Sequence, residues 1–428
     1  MSNREHQSTE LPEFFRVRQR FASHALPDVD AAVTTALRTA DLSGRVQAGQ
    51  SVAIAIGSRG IADIAEVTRS LVRYLRTLGA DPFVVPAMGS HGGATDEGQA
   101  TVLASYGIDQ QGIGCPVRSS METVVVGSTD DGVQIHFDKI ASAADHIIVV
   151  NRIKPHTRLV GQLESGIVKM LMIGLGKHRG ALTYHQAFPN YDYYLDRIAA
   201  KVVPKIVAKM PVTLGLAIVE DAFDRVSLIE AIAPDALLTE EPRLLKVARN
   251  WMPRLPFDHA DLLIVDQIGK EISGSGMDTN VIGRKSNDRE AAPDEFPKIR
   301  QIFVRSLSNK TNGNATGIGI AEYCRAQVVQ DMNVRMTRIN CITSGHVTAG
   351  AVPVYFDTDR EVLEAALTQA RLPTPRGAKW MHVPDTLHLS QVACSVAYRD
   401  AVSGRDDLEV IDEARPLKFD SRGNLSCD

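Results

Sequence analysis

The sequence predicts an α/β protein of two domains, each built on a mostly parallel sheet. Three observations lead there. Short apolar runs alternate with stretches of helical periodicity, as in Val52-Ala-Ile-Ala-Ile56 followed by Ile64, Val67, Leu71, Leu75 and Leu78. The alternation resumes after a Pro-containing break at Trp251-Met-Pro-Arg-Leu-Pro256. A chain of 428 residues, 44% of them hydrophobic, can fill two cores. The expected boundaries are 1–256 for an N-terminal domain and 257–384 for a C-terminal one. The tail, 385–428, is expected to return and complete the N-terminal domain. The active site is expected in the cleft between the domains.

The elements follow in order. Residues 1–20 read as a polar arm docked by Phe14-Phe15, and 28–40 as a helix. Val52–Ile56 is a strand that ends in Gly57-Ser-Arg-Gly60. A helix spans about 63–78, with Gly79 where a terminating glycine belongs. Pro82-Phe-Val-Val-Pro86 is the next strand and empties into Met88-Gly-Ser-His-Gly-Gly93. Thr95 caps a further helix, with Asp96 and Glu97 favouring its first turn. Short strands flank the turn signal Asp130-Asp-Gly132. His146-Ile-Ile-Val-Val150 is a buried strand, and Leu214–Val219 another. In the second series, strands are expected at 261–265, 301–304 and 352–356. Helices are expected after the Gly-rich stretch 311–319 and from Asp357. Loops that follow parallel strands gather on one edge of the sheet, where open α/β folds bind ligands. Three such loops bring Arg59, His91 and the pair Lys154/His156 together.

The bulk properties narrow the function. A net charge of −4, without a run of five like charges, gives no nucleic-acid footprint. Five scattered cysteines without a CxxC pair argue for a reducing compartment rather than a disulfide framework. Met1–Glu10 is polar and unlike a signal peptide, and no window suits a membrane span. A cytoplasmic protein acting on a small molecule is expected.

His91 lies between glycines that let backbone approach a ligand closely, although a solvated turn histidine has the same signature. His156 follows Lys154-Pro155, and the proline stiffens the loop; a basic surface loop is the plainer reading. Lys169 stands in the apolar run Ile167-Val-Lys-Met-Leu-Met-Ile173. An isolated buried ammonium is costly, so this lysine is paired, neutral, covalently used or snorkelling. Ser165-Gly166 before it suits a turn that binds phosphate through backbone N–H groups. His185 is a candidate imidazole ligand for a metal, or a packed histidine. The HExxH, GxSxG and GxxxxGK[ST] motifs do not occur. In the second domain Gly274-Ser-Gly-Met-Asp-Thr-Asn280, with Lys270, Arg284 and Lys285, forms a polar loop over a substrate or simply a solvated one.

Taken in order, these motifs resemble the nickel-dependent lactate racemase family, which includes racemases and epimerases of other 2-hydroxy acids. The resemblance rests on Val52–Arg59, Ala87-Met-Gly-Ser-His91, Ala144–Val150 with Ile153-Lys-Pro-His156, Ser165–Lys169, and His185. The spacings agree: 65 residues from His91 to His156 and 16 from Lys169 to His185. It implies a nickel-bearing pyridinium-3,5-bisthiocarboxylic acid mononucleotide tethered to Lys169 as a thioamide, with His185 as nickel ligand. Ser90, Ser165 and Gly166 would line the cofactor. His91 and His156 would be the acid/base pair, and Arg59 would hold the substrate carboxylate. Arg284 and Lys285 would be the substrate contacts of the second domain. The implied partners are a 2-hydroxy acid and the proteins that make the cofactor. The sequence departs from the family at Gly57-Ser-Arg-Gly60, at Ile167-Val168 and after Met277-Asp-Thr-Asn280, where the expected glutamine and lysine are not cleanly present; the last departure points away from lactate itself. Two other readings use the same residues: a non-catalytic relative that binds a nucleotide or hydroxy acid, and a metal-dependent lyase or hydrolase.

Overall fold

The computed structural model describes residues 10–58, 60–372 and 374–426. It divides into two compact units. One is Ala22–Met252; the other is Pro253–Asp428 together with the segment that ends at Phe21. Strand β1 (Phe14–Gln19) therefore belongs with the C-terminal strands.

In the N-terminal unit, β2 (Ser51–Ile56) and β3 (Asp81–Pro86) are followed by a hairpin of β4 (Thr123–Ser128) and β5 (Gln134–Asp138). Then come β6 (His146–Arg152), β7 (Val212–Glu220) and β8 (Val226–Ile232). The main sheet has the order β3-β2-β6-β7-β8. Its neighbours are parallel except for β7 and β8. Side chains alternate across a strand. Val52, Ile54 and Ile56 enter a core shared with the helices Val29–Thr39 and Ile64–Thr77. Ala53 and Ala55 enter another, shared with Ile167, Leu171 and the helices Leu195–Lys209 and Leu237–Trp251. Both faces are covered, which is why the central strands are apolar throughout; all nine residues of β7 are buried. The helix Ile64–Thr77 ends as its sequence predicts, with Gly79 at φ +74°. Thr95 accepts the Gly98 N–H at 3.0 Å and caps the helix Asp96–Ser105.

The C-terminal unit pairs β9 (His259–Ala260) with β11 (Lys298–Ile299) in a small ladder. Its main sheet contains β10 (Leu262–Ile268), β12 (Ile302–Leu307), β13 (Tyr323–Arg325), β14 (Val354–Phe356), β15 (Trp380–Val383), β16 (Gln391–Ser395) and β17 (Leu408–Val410). The order is β14-β13-β12-β10-β15-β16-β1-β17. Strands from β14 to β15 run parallel, and the remainder pair antiparallel. The fold is thus α/β with mostly parallel sheets, as expected.

Two expectations are corrected here. The arm at 1–20 contains a strand: Phe15 and Val17 are buried while Arg16 and Arg18 point outward, and Arg16 pairs with Asp412 at 2.7 Å. The tail beyond residue 384 does not complete the N-terminal unit. Its strands β16 and β17 flank β1 in the C-terminal sheet. Among the described residues no helix is long and apolar enough to cross a membrane.

Candidate active site

The loops after β2, β3 and β6 meet at the carboxyl edge of the N-terminal sheet. Gly57, directly after β2, is closely packed. A Cβ there would lie 3.1 Å from Asn151 Oδ1 and 3.2 Å from Met170 Cε. The Ser58 hydroxyl hydrogen-bonds His91 Nδ1, and the Tyr106 hydroxyl donates to the Ser58 carbonyl. The first contact ties the β2 loop to the β3 loop, and the second ties it to the end of the helix Asp96–Ser105. Arg59 lies outside the described residues.

The loop after β3 is hung from within. The His91 N–H donates to the Met88 carbonyl at 3.1 Å, and Gly89 takes φ +60°. The buried Gln99 amide donates to the carbonyls of Gly89 (2.8 Å) and His91 (3.3 Å). Gln99 in turn accepts from Lys177 Nζ at 3.2 Å, and the same ammonium donates to the Pro86 carbonyl at 2.5 Å. Lys177 is wholly buried and paired with buried Asp138 at 3.0 Å. Burial depresses its pKa, and Asp138 opposes that shift. Ser90 is half-buried in the turn, and the His91 ring is exposed.

The loop after β6 is closed at its base where the Lys154 N–H meets the Ser165 carbonyl at 2.9 Å. His156 donates its N–H to Glu164 Oε2 at 2.6 Å. Its Nδ1 accepts the N–H groups of Arg158 and Leu159, each at 3.0 Å. Glu164 is buried and forms an ion pair with Arg249, which also donates to the Gly161 carbonyl at 2.8 Å. At the far end of the loop, Asn151 Nδ2 donates to the Gly166 carbonyl at 3.1 Å.

Lys169 ends a short helix, Ile167–Lys169, and precedes a π-helical turn, Met170–Gly174. Such turns often mark functional sites. The helix start is capped from outside: the Val168 N–H donates to Glu241 Oε2 at 2.9 Å. Glu241 is buried, and burial pushes its carboxyl up to about 7. A Cβ on Gly166 would sit 2.3 Å from Glu241 Oε1, so any side chain there would displace the carboxylate that caps this helix. Glu241 and Arg249 lie on one helix, Leu237–Trp251, and hold the two ends of the loop.

His185 lies on the helix Lys177–Ala187, edge-on to Phe188 at 6.0 Å. Its side chain reaches solvent, yet crowding around the ring lowers its pKa and the Lys169 ammonium pushes the same way. Lys169 and His185 are therefore close enough for their charges to interact. Among the described residues, no group of three His, Cys, Asp or Glu side chains could hold a metal ion.

Sequence reasoning singled out Lys169 for its apolar run and left open whether it is paired, covalently used or snorkelling; it is half-buried, whereas Lys177, which carried no such signal, is fully buried. Arg284 is corrected. It is fully buried in the C-terminal unit, bonded to the carbonyls of Ile320 (2.7 Å) and Ile299 (3.0 Å) and to Glu322 (2.8 Å). A guanidinium so enclosed offers no surface to a substrate. Lys285 beside it is half-buried. Ser58, Gln99, Glu164, Glu241 and Arg249 were missed; Ser58, Glu241 and Arg249 have partners distant in sequence, and Gln99 and Glu164 bind backbone groups of nearby loops that carry no side-chain signature.

Residues 6–193 match the lactate racemase N-terminal domain family. No curated protein matches the sequence. One similar solved structure is the lactate racemase apoprotein from Thermoanaerobacterium thermosaccharolyticum. It has 10% identity and a TM-score of 0.45, over 83% of this chain and 97% of that one. Another is a protein from Thermotoga maritima, solved by a structural genomics consortium. It has 15% identity and a TM-score of 0.48, over 77% and 84%.

Proposed function

We propose that the chain, whose residues 6–193 match the lactate racemase N-terminal domain family, inverts the carbinol carbon of a 2-hydroxy acid, as a racemase or epimerase. The supporting observation is the placement of the residues around the N-terminal sheet edge: His91 and His156 on the loops after β3 and β6, Lys169 before the π-helical turn and His185 on the helix that follows it. These residues fit a tethered nickel pincer pyridinium mononucleotide. Lys169 would be the tether and His185 the protein ligand of the nickel. When bound, that group supplies a reversible hydride acceptor. The chain supplies the rest. Ser90, Ser165 and Gly166 line the tether. His91 and His156 manage the hydroxyl proton of the substrate. Arg59 takes the substrate carboxylate in a bidentate grip.

Two measurements test this. Protein co-expressed with the cofactor pathway should gain an adduct on Lys169, seen by intact mass and lost in Lys169→Ala. A substrate deuterated at C2 should racemise in ordinary water with its label kept. Loss of the label to solvent, or unmodified protein that is fully active, would overturn the proposal. Activity on added zinc or manganese without an adduct would favour a metal-dependent lyase or hydrolase.

A further inference from the structure

We infer that the C-terminal unit carries a docking surface for a second copy of this chain, formed by the helix Val334–Thr343 and the edge strand β14. Only Thr337 and Cys341, about one turn apart, are buried in this helix. The Thr337 hydroxyl accepts the Ala315 N–H at 3.0 Å, and Asn333 caps the helix by accepting the Met336 N–H at 3.0 Å. So narrow an inward stripe leaves most of the helix outside. A surface helix ordinarily turns polar residues outward. Here Val334, Ile339 and Ile342 face solvent, and the apolar run continues past the helix with Val347, Val354 and Tyr355. All six are more than half exposed, from 53% at Tyr355 to 70% at Val347. Apart from Met336 and Val352 in the same run, the other large apolar side chains exposed among the described residues are scattered between Val125 and Val410.

These residues form one surface. The turn Val347–Gly350 folds back onto the helix, where a Cβ on Gly350 would lie 3.1 Å from Cys341 Sγ. Strand β14 ends its sheet, with β13 on one side only. The extent of the patch matches a stable interface. The six side chains expose on the order of 600 Å², the upper end of what a monomer shows in one patch. One side of a standard interface takes about 800 Å², a little over half of it apolar. The patch alone supplies that apolar share.

The charges around the patch select a second copy over a foreign partner. Arg335 and Arg338 are exposed on the helix, and Asp357 is exposed directly after β14. None of the three is held in an ion pair among the described residues. The helix side of the patch is therefore basic and the strand side acidic. In a twofold contact, residue i meets residue j and j meets i. The helix of one copy then lies on β14 of the other, twice over. Each half sets arginine against aspartate at the rim of an apolar centre, so the patch is its own complement.

Light scattering of the full chain over a series of concentrations tests this. Wild type should be a dimer. Ile342→Glu places a charge in the apolar centre and should weaken association at least about thirtyfold, the scale of a hot-spot residue. Val347→Glu, outside the helix, should do the same and serves if the first variant fails to fold. Val125→Glu changes an exposed apolar side chain of the other unit and should leave the dimer intact. Arg338→Glu should weaken the dimer, and adding Asp357→Arg to the same chain should restore it. Wild type that stays monomeric at every concentration, whether the patch takes another protein or none, would overturn the inference. So would a dimer that survives both patch variants, or one that Val125→Glu weakens equally. A double reversal that fails to restore association would overturn the placing of helix against strand. None of these outcomes bears on the racemase reading, which the adduct and the deuterium label decide.

Discussion

Both units place charged side chains near the carboxyl ends of parallel strands, and the two edges handle that charge in opposite ways. In the C-terminal unit, Arg305 on β12 bridges Asp266 on β10 (2.5 Å) and buried Asp359 (2.7 Å). His382 on β15 adds a contact to Asp266 at 2.7 Å, and the tail is drawn in, with the Leu425 N–H on Asp359 at 2.8 Å. There, each charge is met by another. In the N-terminal unit, buried Lys177 with Asp138, buried Glu164 with the partly exposed Arg249, and buried Glu241 lie behind the loops and hold backbone. That leaves His91 exposed and His156 and Lys169 half-buried at the surface. Charge at a sheet edge is therefore not by itself a site. What matters is whether the charges neutralise one another or support groups in front of them.

The largest expected effect tests the closed edge. Arg305→Met would remove the guanidinium shared by two carboxylates, one of them fully buried, and should cost about 3–5 kcal/mol, as for one lost partner of a buried ion pair. Urea unfolding monitored on the C-terminal unit measures this. A loss under about 1 kcal/mol would mean that the edge is not held by these pairs. On the supported edge, Lys177→Met should cost somewhat less, about 3 kcal/mol. Asp138 would lose its countercharge but keep the Ala141 N–H at 2.8 Å. This variant should also loosen the loop that bears His91, visible as faster amide exchange at Gly89 and His91. Unchanged exchange there would separate Lys177 from the site.

Much of this was legible in the sequence because it is local. Alternation of strands and helices, the cap at Thr95 and the glycine at 79 all express periods of a few residues. The order of His91, His156, Lys169 and His185 is read directly along the chain. The remainder depends on partners far apart. Strand β1 has the alternation of a strand, but its neighbours lie near residues 391–395 and 408–410. Lys177 looks like a surface lysine in a Gly-rich turn until Asp138 and Gln99 arrive from other elements. Arg284 looked like a substrate contact because its carbonyl partners, at 299 and 320, carry no side-chain signature.

A third prediction uses the pH dependence of the supported edge. Glu241 binds its proton up to about pH 7 in the folded protein, against 4.5 for the group in its ordinary state, because burial disfavours the carboxylate. A raised carboxyl means that the folded state holds more protons than the unfolded state between those values. Stability from this residue is thus highest at low pH and falls as pH rises from about 4.5 to about 7, by about 3 kcal/mol in all. Glu241→Gln keeps an acceptor for the Val168 N–H and removes the titration. The variant should lose this part of the pH dependence and be the more stable protein above pH 7, measured by urea unfolding at a series of pH values. An identical slope in variant and wild type would show that Glu241 does not titrate in this range.

The smallest stability effect and the sharpest test of the comparison both come from Ser58→Ala. The hydroxyl contacts His91 Nδ1 at the surface, so its loss should change stability by no more than about 0.5 kcal/mol. If the loops exist to support reactive groups, the same change should still be felt in catalysis. Without the hydroxyl, His91 loses the partner that orients its ring and accommodates either tautomer, and exchange should fall about tenfold, mainly in kcat. Ser58→Thr keeps the hydroxyl and should restore most of the rate, which separates orientation of His91 from a change in loop shape. A variant that is as active as wild type would place His91 outside the reaction. A variant that unfolds early would make the Ser58 contact structural, and the two sheet edges would then differ less than their geometry implies.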